Sequence, residues 1–455
     1  MHDGAAALAA VERNGIRVDV EYCRERVEWL GRKIEQAETR FRRTRLYDAW
    51  QRRYEGKLNL TSNAQLRSVL YADLKVRAFR QTEKGDDSAD EESLRQTGIE
   101  GIEYLIRSRK YRKIRDFVKG ILTYQIDEWL YPYFHLHTVQ TYRSSSSEIN
   151  FQNLPKRDKE AMDICRRAII PSDGNQLLEI DFSGIEVGIS ACHHKDPTML
   201  RYLRDPKSDM HTDMAKELFF LQGLNSSLKE VDGGPALRQA SKGGFVFPEF
   251  YGDWYESCAF DLAVNYTKLP HTRDWTADDG IVFRGAPIGR HMLANKIEAL
   301  SDYVEHVKGV ERDFWNRRFP VYKRWREEWH ADYQRTGSFE MKTGFRCGGV
   351  MARNQVVNYP VQGSAFHCLL RTLILVVNRT RGWLSKVVGE IHDSVLFDAR
   401  PSEVPALIGM VEKIAADLHK YWDWIIVPMR VEASLSEVNG HWADMADPTK
   451  RVVAA

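Results

Sequence analysis

The chain has 455 residues, more than a single hydrophobic core organises, so two or three lobes are expected. Its 43% hydrophobic and 29% charged content reads as a soluble globular chain and excludes the disordered and membrane-embedded classes. A formal net charge of only +2 does not by itself mark a nucleic-acid binder.

The first ten residues lack the basic start and apolar run of a signal peptide, and no stretch approaches the roughly 18 apolar residues of a membrane span. Through about Gln125 the pattern is helical and charged, with Val27, Leu30 and Ile34 at i, i+3 and i+7. Basic residues crowd two segments here, one from Arg40 through Arg42, Arg43, Arg45, Arg52 and Arg53 to Lys57, the other from Arg107 to Arg115. Such runs track phosphates or form solvated helix faces, and both readings stay open. Gln81 to Glu92 reads as a loop leading into a helix, with Ser88 and Glu91 at capping-box spacing. Further on, the apolar run Leu177 to Ile180 reads as a strand stopping at Asp181. Residues 206–355 are mostly helical in pattern, interrupted between Leu269 and Gly289. Val387 to Ile391, then His392-Asp393-Ser394, then Val395 to Phe397 read as a β-hairpin with Asp393 at its bend. The six cysteines are scattered without a CxxC pair, which suits reduced thiols in a cytoplasmic setting and argues against a structural zinc site.

Three elements carry chemistry. Asp181 and Asp393 end or turn strands, and carboxylates at one sheet edge can hold two Mg²⁺ ions about 3.5–4 Å apart, as in-line phosphoryl displacement requires. Taken singly, an Asp in such a place is more often a turn residue or a helix cap. Arg238 and Lys242 lie one helical turn apart and can grip a triphosphate, Arg as a fork and Lys as a point charge, although most such pairs are only solvated.

Read together, these segments resemble the family A DNA polymerases over nearly the whole chain and in the family's order. Thr141 through Arg143, Asn150 and Gln152 to Pro155 looks like the signature TGRLSSSxPNLQNIP. Asp181-Phe-Ser-Gly-Ile-Glu186, preceded by Arg166 to Pro171, is similar to motif A, and Asp209-Met-His-Thr212 to the element that follows it. Arg238 through Lys242 to Gly252 resembles motif B, Asn358 to Gly363 the NxPxQG element, and Ile391-His-Asp393 motif C. Asn14 to Asp19 looks like the start of the family's polymerase domain.

The resemblance implies an α+β right hand with a mixed α/β palm, a helical thumb and helical fingers. Residues 1–25 would lead into the palm, 26–130 form the thumb, 131–205 the palm with motif A, 206–355 the fingers, and 356–455 the palm with motif C. It implies a template-directed polymerase that extends a primer 3′-hydroxyl with dNTPs in DNA replication or repair, using two Mg²⁺ ions for which Mn²⁺ can substitute. Asp181, Asp393 and the Phe182 backbone carbonyl would hold metal. Lys242 would be catalytic as a general acid, and His211, Arg238, Lys242, Glu186, Phe247 and Tyr251 would bind the dNTP. Arg143, Asn150, Gln152, Asn358, Gln362 and His392 would follow the primer-template duplex. Glu186 would fill the space beside the sugar C2′ and reject a ribose hydroxyl by steric conflict. Expected partners are primer-template DNA, dNTPs and replication accessory proteins, with no membrane and a monomeric chain in the cytoplasm of a bacterium or phage-infected cell. The domain start lies so close to Met1 that no proofreading exonuclease is expected upstream.

Several positions depart from the family pattern. Motif B places aromatics four and eight residues after the Lys; here those positions are Val246 and Phe250, with Phe247 and Tyr251 one residue further. A π-bulge would absorb the added residue, and Gly243, Gly244 and Pro248 disfavour a regular helix. Ser394 stands where an acidic residue usually follows the motif C Asp, while Gly184 and Gly188 thin out the polar support of motif A. Residues 253–310 match nothing in the family and read as a surface insertion in the fingers. Two other readings stand beside this one. A single-subunit RNA polymerase shares the His-Asp-Ser of motif C but has Gly where this chain has Glu186, and a non-catalytic DNA-binding homologue would be expected to lose a carboxylate.

Overall fold

The computed structural model describes residues 1–78, 85–151, 154 and 158–451. At its centre is a four-stranded antiparallel sheet in the spatial order Lys386–Ile391, Ser394–Ala399, Gln176–Phe182, Val431–Leu435. Side chains alternate between faces along a strand. Leu178, Ile180, Phe182, Val395 and Phe397 enter one large core, whereas Leu177, Val388, Ile391 and Leu396 enter a second. A sheet covered on both sides explains why these strands read as nearly unbroken apolar runs. The expected hairpin is present, but the strand Gln176–Phe182 runs through Asp181 and does not stop there.

The N-terminal third is built on two long helices, Val20–Phe41 and Ile102–Tyr124, packed side by side. The first starts after strand Ile16–Val18, where Asp19 caps it by accepting the Tyr22 amide at 2.8 Å. Leu30 and Ile34 are buried as the spacing requires. Between the helices, Glu38 (4% exposed) accepts the Ser108 hydroxyl at 2.7 Å and the Arg112 Nε at 2.9 Å. The two basic runs separate on this account. Arg40, Arg43, Arg45, Arg52 and Lys57 stay exposed. In the second run Arg112 is spent on Glu38, Lys110 on Asp158 and Glu160, and Arg109 on the Leu60 carbonyl and Asn63, which leaves Arg107 and Lys113 facing solvent.

Three expectations are corrected. The helix after the polar loop, Glu91–Gln96, is capped by Asp90, which accepts the Ser93 amide at 2.8 Å. Ser88 instead hydrogen-bonds to Asp90, and part of the loop, residues 81–84, lies outside the described residues. Residues 253–310 are not a surface appendage. Cys258, Leu262, Trp275, Ile288, Met292 and Tyr303 belong to the large core, so this segment is integral to the lobe that carries it. Finally, helix Arg353–Arg379 is long and apolar enough to cross a membrane by length and composition, with a window of mean hydropathy 1.4. Of that window 72% is buried inside the protein, so its apolarity is spent on the core.

Buried polar groups join the helices. Asp196, fully buried, caps helix Pro197–Arg204 through the Thr198 and Met199 amides and also accepts the Val321 and Tyr322 amides at the start of helix Pro320–Thr336. Next to it, the His194 ring stacks on Tyr322 with centroids 4.0 Å apart and accepts the Asp196 amide at Nδ1. Burial holds His193 and His194 down to about 3 and His367 to about 4. Below pH 6.5 the unfolded chain takes up protons that these folded rings refuse, so stability is lost as pH falls. Stability should therefore fall steadily from pH 6.5 to 4.5, by about 1 kcal/mol per pH unit for each such histidine, and the melting temperature should fall with it. A flat profile in calorimetry over that interval would refute the assignment of neutral buried rings.

Candidate active site

Pairing between strands Gln176–Phe182 and Ser394–Ala399 sets Ser394 opposite Asp181, and the Phe182 amide donates to the Asp393 carbonyl at 3.0 Å. His392, in the left-handed region at φ 62°, makes the hairpin bend tight. Asp181 and Asp393 thus line one cleft of about 300 Å³, together with Phe182, Arg143, Glu186, Lys242, Phe247, Tyr251 and His392. Ser394 is 1% exposed and gives its hydroxyl to Glu179 at 2.9 Å, so it faces the interior. Asp181 has a second register partner, Glu432, on strand Val431–Leu435. It is exposed on the face that Asp181 occupies, and no sequence motif marked it.

Glu186 stands in the first turn of helix Ile185–His194, where a negative charge meets the positive end of the helix dipole. Its carboxylate joins two other segments. Arg143 forms an ion pair with one oxygen, and the Tyr251 hydroxyl donates to the other. Arg143 also donates to the Gln362 carbonyl at 3.3 Å, and Asn358 donates to the Tyr251 carbonyl at 3.2 Å. Gln362 and Asn358 therefore sit at the rim of the same cleft and line a small adjoining pocket with Glu186 and Tyr251. Asn150 is not among the residues that line this cleft and accepts the Ser146 hydroxyl at 3.3 Å, and Gln152 lies outside the described residues.

The opposite wall is a continuous helical run that changes pitch. Helix Gly234–Ser241 passes into a π-helical turn, Lys242–Val246, and then into helix Phe247–Tyr251. The Phe247 amide reaches back five residues to the Lys242 carbonyl. Two glycines and the missing N–H of Pro248 weaken the ordinary four-residue ladder, and the wider turn takes in one extra residue. The consequence is a choice of faces. Val246 and Phe250 are buried, while Phe247 and Tyr251 line the cleft, with the Lys242 ammonium 5.4 Å from the Phe247 ring centre. One turn earlier, Arg238 grips Asp209 as a two-pronged fork at 2.7 and 3.0 Å. Burial alone would raise the Asp209 carboxyl, but the Arg238 fork and the Thr212 amide take it down to about 2. His211 meets the edge of Phe247 with centroids 5.7 Å apart. Burial, with Arg238 and Lys242 close by, takes His211 down to about 4 and keeps its ring neutral at pH 7.

The donor set suits a hard divalent cation. Two carboxylates and a peptide carbonyl are oxygen ligands, and Mg²⁺ is commonly held by one or two carboxylates with substrate phosphates and water completing the shell. Among the described residues no group of three or more His, Cys, Asp or Glu side chains is gathered that could hold a metal ion by itself.

Residues 27–264, just over half of the chain, match the family profile described as DNA polymerase family A. The chain belongs to this family. DNA polymerase I of Borreliella burgdorferi is 30% identical over 427 residues, covering 90% of this chain and 41% of that protein. The thermostable DNA polymerase I of Thermus thermophilus is 25% identical over 451 residues, covering 94% and 46% respectively. This family A chain thus spans about half the length of these curated relatives. A solved structure of the POL domain of Pol1 from M. smegmatis, in complex with DNA primer-template and dNTP, superposes with a TM-score of 0.72 at 21% identity. That match covers 98% of this chain and 70% of the other, and the fold is accordingly the right-hand polymerase fold.

Within this family A chain the two glycines let the π-turn lie close against neighbouring side chains. A Cβ on Gly243 would lie 2.1 Å from the Tyr266 hydroxyl, and one on Gly244 3.0 Å from Leu262, both on the π-helical segment Asp261–Tyr266 behind it. Gly243→Ala should therefore destabilise the protein by about 1–3 kcal/mol in urea unfolding and weaken dNTP binding. Unchanged stability together with unchanged dNTP affinity would mean that the turn tolerates repacking.

Proposed function

We propose that this chain is a template-directed DNA polymerase that extends a primer 3′-hydroxyl with dNTPs by two-metal phosphoryl transfer. The observation that carries the reading is the convergence, in one cleft of a family A chain, of Asp181, Asp393, Glu186, Lys242, Phe247 and Tyr251 from segments far apart in sequence. The M. smegmatis neighbour is a complex with DNA primer-template and dNTP, and its likeness in fold supports the same substrates here.

In this reading Asp181, Asp393 and the Phe182 carbonyl hold two Mg²⁺ ions, with Mn²⁺ able to replace them. Bound there, the metal supplies a lowered pKa for the primer 3′-hydroxyl and charge neutralisation at the pyrophosphate. Lys242 meets the triphosphate as a cation and protonates the leaving group. Arg238 joins it by exchanging Asp209 for phosphate, which asks for a movement of this helix towards the substrate. Neutral His211 donates to a phosphate oxygen. Phe247 stacks on the incoming base, and Tyr251 stands on the template side. Glu186, held by Arg143 and Tyr251, closes the space at C2′ of the sugar. Arg143, Asn150, Gln152, Asn358, Gln362 and His392 follow the duplex, whose phosphates position without specifying sequence. Residues 1–25 lead into the palm, 26–130 form the thumb, 131–205 and 356–455 the palm, and 206–355 the fingers. The chain acts as a monomer in replication or repair in a bacterial or phage-infected cytoplasm, with accessory proteins as further partners and without 3′→5′ excision of its own.

Primer extension on a DNA template with Mg²⁺ tests the reading, with deoxynucleotides in one reaction and ribonucleotides in the other. Extension is expected with deoxynucleotides alone, and no mononucleotide should be released from a matched primer. Asp181→Ala or Asp393→Ala should lower the extension rate by about three orders of magnitude with DNA affinity nearly intact. Undiminished extension by either variant rules out the metal assignment. Glu186→Ala should admit ribonucleotides, read as the ratio of kcat/KM for the two sugars, and an unchanged ratio removes Glu186 from the gate.

A further inference from the structure

Behind the cleft-facing aromatics lies a pair of carboxyl groups for which the proposed reaction has no use. Phe247 and Tyr251 are four residues apart and share one face of their helix, so Glu249, midway between them, points the opposite way. It is 1% exposed. Its Oε2 accepts the Trp315 indole N–H at 2.8 Å, the Cys258 thiol approaches Oε1 at 3.7 Å, and its carboxyl is hydrogen-bonded to that of Glu311. Glu311, in helix Leu300–Asp313, accepts the Tyr255 amide at 3.0 Å. Arg326, from helix Pro320–Thr336, donates to the Glu249 carbonyl at 3.5 Å and lies 4.5 Å from the Trp315 ring centre. Asp253, Cys258 and Tyr322, with Asp261, Glu327 and Arg353, are the other titratable and charged groups that interact with the pair or with its neighbours Cys258 and Arg326.

Two carboxyl groups in hydrogen-bond contact, Glu249 buried and Glu311 half-buried beside it, resist ionising together; one proton is held between them. Glu311 has an amide donor and the nearby Arg326 charge, so it carries the negative charge. Glu249 is deeper, and burial, with the charge of Glu311 added, raises its carboxyl well above the ordinary range. The protonated group can then donate to Glu311 while accepting from Trp315.

We propose that Glu249 is a positioning residue for nucleotide selection, its hydrogen bonds to Glu311 and Trp315 anchoring the back of helix Phe247–Tyr251 so that its aromatic face meets the incoming base pair. Removing the shared proton sets two anions against each other beneath that helix and loosens the face that Phe247 and Tyr251 present. The inference rests on the polymerase reading, and the test separates the two.

The test compares the wild type with Glu249→Gln, whose amide keeps the donor and the acceptor without titrating. Because the folded Glu249 holds its proton above the unfolded glutamate range, its share of stability is present at low pH and lost as pH rises. The melting temperature of Glu249→Gln should accordingly gain on the wild type by about 2 °C between pH 6 and 9, without DNA or metal. In primer extension, KM for dNTP should rise about threefold more in the wild type than in the variant over pH 7.5 to 9.5. Parallel melting profiles overturn the shared proton. Diverging melting with parallel KM profiles overturns the positioning role. No extension by the wild type at any pH is a failure of the polymerase reading, while the melting arm still decides the carboxyl pair. Should the Gln variant not fold, Glu249→Met removes the same titration at similar volume, and the same comparison applies.

Discussion

The antiparallel register between strands Gln176–Phe182 and Ser394–Ala399 is the constraint from which the cleft follows. Six consecutive residue pairs, from Ser394 with Asp181 to Ala399 with Gln176, leave no freedom to slip, because a shift by one residue would exchange the two buried faces. Both faces are fully committed, one to the large core and one to the smaller, so the register is defended by apolar burial on each side. The carboxylates of Asp181 and Asp393 need no interaction of their own to be brought together. Their place follows from the packing of residues that take no part in the chemistry.

Among the helices the constraint is polar. Apolar contact between helices tolerates sliding by a turn, whereas a buried charge with directional hydrogen bonds does not. Asp196 serves the N-termini of two helices at once, and Glu38 ties the two long N-terminal helices through Ser108 and Arg112. Such groups add little net stability, since each must be stripped of water, but breaking one partner is costly. Their effect is to exclude alternative packings of helices that are otherwise greasy and interchangeable.

Much of this is legible in the sequence where the signal is local. The hairpin at Asp393 is readable because two apolar runs flank a polar turn, and the register of motif B because Gly243, Gly244 and Pro248 coincide with aromatics displaced by one residue. The cap at Asp90 is masked because Ser88 and Glu91 have the right spacing for a capping box, yet Asp90 sits nearer and carries the stronger acceptor. The segment 253–310 reads as a surface insertion because it matches no family motif, although Trp275, Met292 and Tyr303 are large apolar residues that need a core. Part of the second basic run is spent internally, on Glu38, Asp158 and Glu160. Pairings of this kind, like those of Arg238 with Asp209 and Glu186 with Tyr251, join positions tens of residues apart, and no local pattern announces them.

The π-turn links these two sorts of constraint. A regular helix through Lys242 would have turned Val246 and Phe250 towards the cleft and Phe247 and Tyr251 away from it. One added residue, accommodated where glycine lets the turn lie against Tyr266 and Leu262, rotates the following helix so that an aromatic pair faces the carboxylates and Glu249 faces inward. Another π-turn, Phe314–Arg318, lies on the segment that receives Glu249 through Trp315. Both sides of that contact therefore use a wider turn to reach one another. A π-turn is less favourable than the α-helical turn it replaces, and it persists here because the burial of Val246, Phe250 and Phe314 outweighs the poorer ladder. The identity of the side chains that face the substrate is thus decided by the packing behind them.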